Sequence, residues 1–148
     1  MTETLRSRRS TRRYVRCPAC DLVFLSPRPT RASVEDYFRE SYDGDYGAVE
    51  ALDDRQPVYQ SVLEHMTLYR SPPGSVLDVG CGDGGFLLLC RQEGWNGSGV
   101  ELSTQAAMRA AQKGITVFSP QILEQGEWRQ HFDVITMINM LETVADPL

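Results

Sequence analysis

Long apolar runs are missing from this 148-residue sequence. Nowhere does hydrophobicity persist for the roughly 20 residues that a membrane-crossing helix needs, and the basic start is not followed by the apolar stretch of a secretion signal. Histidine is scarce: His65 lies beside an apolar helix face and His131 just before a strand, and both read as structural or solvent-facing side chains. Cysteine is sparse as well. Cys17 and Cys20 form a CxxC, while Cys81 and Cys90 stand alone, which is not the spacing of a secreted disulfide framework. A reducing, cytoplasmic setting is expected, and no metal site is assigned.

Positive charge is nearly confined to one end. Six arginines and one acid occupy residues 1–16, leaving nine basic against nineteen acidic side chains, net −10, in the rest. An acidic body argues against a broad nucleic-acid surface, because phosphate binding needs clustered cations. The run Arg6, Arg8, Arg9, Arg12, Arg13, Arg16 reads as a solvated tail, with a nucleic-acid arm as the sharper alternative.

What the sequence does contain is an ordinary globular balance, 41% hydrophobic and 24% charged, enough for one core. Three parts are expected: a basic flexible tail over 1–13, a ribbon-like and helical segment over 14–55, and an α/β domain over 56–148. In the second part Tyr14 and Val15 precede the CxxC turn, Leu22 to Leu25 return as a strand, and Thr30 caps a helix over 31–40. A ribbon without a second cysteine pair is expected to pack through Tyr14, Val23 and Phe24. The loop YDGDYG follows, and Tyr42, Asp43 and Tyr46 are either a lid or an exposed acidic loop.

Beyond Pro57, the recurrence of Val58, Val62, Met66 and Tyr69 predicts a helix with one buried face. Pro72, Pro73 and Gly74 end it and launch a strand over 75–79. A glycine-rich turn, a helix over 86–92 and a stop at Gly94 come next. The same grammar repeats as a strand over 97–101, a helix over 104–112 capped by Ser103, and a strand over 115–118. Phe132 to Ile138 is nearly all apolar and predicts a strand buried on both faces. Alternating strands and helices imply a parallel sheet with right-handed crossovers. The chain stops soon after this fourth strand, so the C-terminal half of such a domain is expected to be absent, and an unpaired edge favours homodimer formation.

The chemistry concentrates in VLDVGCGDG, residues 76–84. Glycines there let a ligand approach the backbone, at the carboxyl end of a strand where open parallel sheets bind ligands. Gly80, Gly82 and Gly85 satisfy the GxGxxG spacing of dinucleotide sites, which keeps an NAD-dependent oxidoreductase as an alternative. Asp78 and Asp83, however, are poor neighbours for a diphosphate and good ones for a ligand with an ammonium group. Cys81 has no histidine nearby to activate it and reads as a small buried residue; Cys90 reads as helix core.

This strand, turn and helix resemble motif I of the class I S-adenosylmethionine-dependent methyltransferases. The resemblance implies a Rossmann-like fold and a turn whose backbone at Gly80, Cys81 and Gly82 contacts the methionine part of the cofactor. It also implies that Asp78 supports the turn or the cofactor amine and that Glu101, ending the second strand, binds the ribose hydroxyls. FDVITMINMLETVADPL resembles the fourth-strand motif through Phe132, Asp133, Leu141, Glu142, Asp146 and Pro147, with Thr143 in place of the usual histidine. Met137, Ile138 and Asn139 would then line the crevice, whereas Asp133 is read either as a motif residue at the ligand or as a brace for the strand. SPQ at 119–121 departs from the acid commonly found near the adenine, leaving backbone groups or Gln121 for that part.

The CxxC segment is similar to the front of methyltransferases acting on sugars or other small metabolites, so the acceptor implied is a small molecule and no membrane is involved. Methyl transfer by in-line displacement demands alignment more than a dedicated catalytic side chain, and no general base is assigned. A noncatalytic binding module that keeps the fold is the remaining alternative.

Overall fold

The computed structural model describes residues 3–6, 13–41, 51–124, 130–141 and 144. The loop YDGDYG, Glu142, Thr143, Asp146 and Pro147 lie outside them. Among the described residues no helix is long and apolar enough to cross a membrane.

Three short strands, β1 (Glu3–Arg6), β2 (Arg13–Arg16) and β3 (Val23–Leu25), make an antiparallel sheet in that order. Where the sequence predicts a flexible basic tail over 1–13, Glu3–Arg6 is thus a strand. Its partner is the extended RYVR segment, in register from Glu3↔Arg16 to Arg6↔Arg13. The CxxC turn joins β2 to β3 and is closed by Cys17 N–H donating to Leu22 O at 2.8 Å and Asp21 N–H donating to Cys17 O at 2.9 Å. Burial in this ribbon falls on Val15, 3% exposed, while Val23 and Phe24 stay open at 44% and 37%. A three-residue edge strand gives those two side chains little to pack against. Helix α1 (Arg31–Ser41) begins as expected, with Thr30 Oγ1 accepting from Ser33 N–H at 3.2 Å.

The larger unit is a four-stranded parallel sheet ordered β6-β5-β4-β7, from β4 (Ser75–Val79), β5 (Asn96–Val100), β6 (Thr116–Phe118) and β7 (Val134–Thr136). Helix α3 (Gly85–Gln92) connects β4 to β5, and α4 (Thr104–Gln112) connects β5 to β6. The punctuation is the one the sequence announces. Ser103 Oγ accepts from Ala106 N–H at 3.2 Å, and Gly94 and Gly114 take positive φ of 85° and 76° after the two helices.

Helix α2 (Ala51–Tyr69) starts earlier than the periodicity indicates, and of the expected stripe it turns Met66 and, in part, Val62 inward but not Val58 and Tyr69. Tyr59, Leu63 and Met66 are buried, whereas Val58 and Tyr69 are 43% and 89% exposed. Both stripes have helical spacing, so the choice is made by the partner: Tyr59 meets the fully buried Phe86 of α3 at 5.6 Å between ring centroids. Phe86, Leu87, Cys90 and Trp95 fill the space beneath the sheet, and burying one such side chain stabilises by about 1.5–3 kcal/mol.

The fourth strand is shorter and more open than the sequence predicts. It forms an edge, so Thr136 is buried but Ile135 is 62% exposed. Its start is tied to β4 at the amino end of the sheet, where Asp133 Oδ2 accepts from Ser75 N–H at 2.8 Å and Ser75 Oγ–H at 3.0 Å. Arg70 pairs with the same carboxylate at 3.2 Å, and these partners hold its pKa below the ordinary value. Asp133 is therefore a brace at the opposite end of the sheet from the glycine-rich turn.

Gly99 on β5 permits one close approach. A Cβ there would collide with the Cys81 thiol, come within 2.8 Å of Cys81 Cβ and 3.2 Å of Leu87 Cδ1. Gly99→Ala is expected to destabilise the fold by about 1–3 kcal/mol through overpacking. A denaturant midpoint unchanged by this substitution would show that the turn yields freely.

Candidate functional site

The carboxyl ends of β4 and β5 meet the turn 80–84, and the local hydrogen bonds decide what that turn can offer. Gly80 and Cys81 donate their N–H groups to Val100 O at 2.8 and 3.1 Å, so the turn continues the pairing of the two strands. Gly82 N–H donates to Glu101 Oε2 at 2.8 Å, and Ser103 N–H donates to Glu101 Oε1 at 2.8 Å. Glu101, 9% exposed, thereby joins the turn to the start of α4. Gly80 has φ of 80°, a conformation that side chains rarely adopt, and the Met140 side chain lies where its Cβ would be.

Two acids belong to this region, Asp78 on β4 and Asp83 within the turn. Asp78 is 3% exposed and accepts from Thr136 Oγ1–H at 2.8 Å. Burial pushes its pKa up to about 7, with the Thr136 bond pulling down and the neighbouring Glu101 charge pushing up. Asp83 behaves differently. Its carboxylate is paired with Lys113, which also donates to Asp83 O at 3.1 Å, so Asp83 ties the turn to the end of α4. The expectation that Asp83 would add negative charge for a ligand is therefore corrected to a neutralised structural pair.

Cys81 and Cys90 are buried, and burial raises both thiols, Cys90 to about 12 and Cys81 further, so neither is a nucleophile at neutral pH. In the ribbon, Ala19 and Cys20 backbone groups and the Cys20 thiol lower the pKa of Cys17. Met137 and Asn139 follow β7 at its carboxyl end. Met137 is 42% exposed and Asn139 turns the chain with φ of 52°, which brings Met140 onto Gly80. Gln121 is exposed on a short 3₁₀ segment, Pro120–Glu124.

A family model described as a methyltransferase domain matches residues 52–148. The chain belongs to this family. A ubiquinone biosynthesis O-methyltransferase of Actinobacillus pleuropneumoniae is 37% identical over 84 residues, covering 49% of this chain and 36% of that protein. The match thus spans about a third of the curated relative. Among solved structures, the magnesium protoporphyrin IX methyltransferase of Synechocystis with bound SAM has a TM-score of 0.60 at 21% identity, covering 80% of this chain and 66% of that one. A protein studied for conversion of a disulfide bond into a thioacetal group in echinomycin biosynthesis has a TM-score of 0.56 at 27% identity, covering 74% and 49%. The parallel sheet is the Rossmann-like methyltransferase fold.

In this methyltransferase domain the structure gathers Asp78, Gly80, Cys81, Gly82 and Glu101 around one turn, with Met137 and Asn139 on the adjoining strand end. Two further side chains, Thr136 and Met140, join them. Thr136 is the inward neighbour of Asp78, and strand alternation from Val134 could have indicated it. Met140 reads as an apolar filler until the left-handed Asn139 aims it at Gly80.

The raised Asp78 carboxyl has a stability consequence. Between about pH 4 and 7 the folded chain holds a proton that the unfolded chain has lost, so ligand-free stability falls as pH rises through that window. Asp78→Asn is expected to be as stable as the parent near pH 4 and more stable above pH 7, by about 1–4 kcal/mol. Urea denaturation across this range checks the sign. A variant less stable at pH 8 than the parent would overturn it.

Proposed function

We propose that the protein transfers a methyl group from S-adenosylmethionine to a small-molecule acceptor, and that residues 76–101 hold the methionine and ribose parts of the donor. The single observation that carries this reading is the pair of buried acids, Asp78 and Glu101, converging on the glycine turn. Bound there, the cofactor supplies a methyl on a sulfonium centre, already activated for displacement.

The chain's part is to bind, orient and exclude water. Asp78 would answer the cofactor's positive charge, since unlike charges attract strongly where water is thin. Glu101 uses one lone pair per oxygen on Gly82 and Ser103, which leaves acceptor capacity for two ribose hydroxyls. The N–H groups of Gly80, Cys81 and Gly82 are engaged inside the fold and the Cys81 carbonyl accepts from Gly84 N–H, so the Cα positions of the glycines and the Gly80 carbonyl would contact the methionine part. Met137, Asn139 and Met140 would close the side from which an acceptor approaches. Because in-line displacement is governed by alignment, this arrangement is sufficient for the domain's share of the reaction.

The same engaged N–H groups weigh against a nicotinamide dinucleotide. A diphosphate on a glycine turn relies on free backbone donors, and those of Gly80, Cys81 and Gly82 are committed to Val100 and Glu101. For the acceptor, the O-methyltransferase relatives favour an oxygen nucleophile on a small metabolite.

Calorimetric titration with S-adenosylhomocysteine tests the reading. Binding by the full-length protein is expected without competition from NAD. Glu101→Gln should weaken it by about 10–100-fold, the loss of charge-assisted hydrogen bonds. Unchanged affinity in a folded Glu101→Gln variant would remove Glu101 from the cofactor.

A further inference from the structure

Thr136 is a buried hydroxyl at a strand position where a hydrocarbon would ordinarily serve. It is 7% exposed and lies in direct register with Asp78, to whose Oδ1 it donates at 2.8 Å. The Leu77 carbonyl, at 3.5 Å, is too distant to compete for the same proton. The branched side chain is stiff about its first torsion, so the hydroxyl is held in place. Valine has nearly the same shape and suits a strand equally well, yet it would bury two methyl groups against the carboxyl. The hydroxyl is therefore justified by Asp78 and not by packing.

The groups facing Asp78 from other elements do not replace this bond. Glu101 comes from the end of β5, Cys81 from the turn, Cys90 from α3 and Tyr59 from α2. Glu101 repels the ionised form, and the raised Cys81, Cys90 and Tyr59 are uncharged at neutral pH. Thr136 contributes the donor that lowers the cost of ionising Asp78.

We propose that Thr136 is a positioning residue for the methyl donor: its hydroxyl, donated to Asp78 Oδ1 from the facing register position of β7, holds the buried carboxyl in the orientation that meets the cationic cofactor. The inference rests on the cofactor reading given above. In the step itself no bond to carbon changes. Asp78 gives its proton to solvent as the cation arrives, and the carboxylate keeps the Thr136 hydrogen bond.

Without the hydroxyl, burial and Glu101 act unopposed, and Asp78 ionises only at higher pH. Affinity for S-adenosylmethionine should then fall at neutral pH and recover as the solution becomes alkaline. The experiment is calorimetric binding of S-adenosylmethionine to the full-length protein, Thr136→Val and Thr136→Ser from pH 6 to 9. Thr136→Val is expected to bind about tenfold more weakly at pH 7, with the gap closing to under about threefold at pH 9, and Thr136→Ser to follow the parent. Taking the ratio of variant to parent cancels titration of the ligand's own amine.

A ratio independent of pH would mean a merely structural role and would overturn the proposal, as would equal affinities at pH 7. If Thr136→Val does not fold, Thr136→Ala takes its place in the same pH series, and titration of the parent at pH 7 in two buffers of different ionisation enthalpy should show net proton release on binding. No release overturns the coupling. A parent protein that binds no S-adenosylmethionine at any pH removes the cofactor reading and this inference together, an outcome distinct from a binding parent with an indifferent Thr136.

Discussion

The carboxylate of Glu101 holds the site together. It receives the N–H of Gly82 on one oxygen and the N–H of Ser103 on the other, both at 2.8 Å, and so fixes the turn after β4 to the start of α4. Charge-assisted hydrogen bonds in a buried place are among the stronger polar contacts a protein makes, roughly twice a neutral one. Everything near the crevice is referred to this bridge. The turn is further fastened to Val100 by Gly80 and Cys81 and to α4 by the Asp83 pair with Lys113. A loop with this many anchors brings the Cα atoms of its glycines to the crevice while the N–H groups of Gly80, Cys81 and Gly82 stay engaged in the fold.

Such an arrangement sets stability against function. Asp78 is buried beside another acid, with one hydroxyl to satisfy it, and the fold prefers it neutral. A sequence selected for stability alone would place an amide or a hydrocarbon there. The strain is local, because the core beneath is conventional: Phe86, Leu87, Cys90 and Trp95 pack against the sheet and against Tyr59 of α2. The domain spends core stability on a pair of carboxyls that a cation would relieve.

Much of this was legible in the sequence, for reasons that differ by element. The helix caps at Thr30 and Ser103 and the glycine stops at Gly94 and Gly114 are local chemistry and appear where the residues announce them. The parallel sheet follows from alternation, and the cofactor turn from VLDVGCGDG together with Glu101. What local pattern does not contain is the identity of a tertiary partner. Helix α2 carries two stripes of helical spacing, and only the ring of Phe86 selects Tyr59 over Val58. The charge on Asp83 looks available until Lys113, thirty residues on, is seen to take it. The nearly all-apolar segment from 132 to 138 reads as a doubly buried strand, but an edge position leaves Ile135 outside. Thr136 carries no local signal of its role, because a threonine in a strand is ordinary until the acid opposite it is known.

The bond between Asp133 and Ser75 bears on the site from the far end of the sheet. Short parallel edge strands have few contacts to define their alignment, and a shift by one residue turns every side chain to the other face. With Asp133 fastened to Ser75, Leu77 stands opposite Ile135 and Asp78 opposite Thr136. One step of slippage would bring the isoleucine hydrocarbon against the buried acid and send the hydroxyl into solvent. A motif residue at the far end of the strand from the glycine turn thus works as an alignment pin, and the chemistry at one end of β7 is written in the geometry of the other.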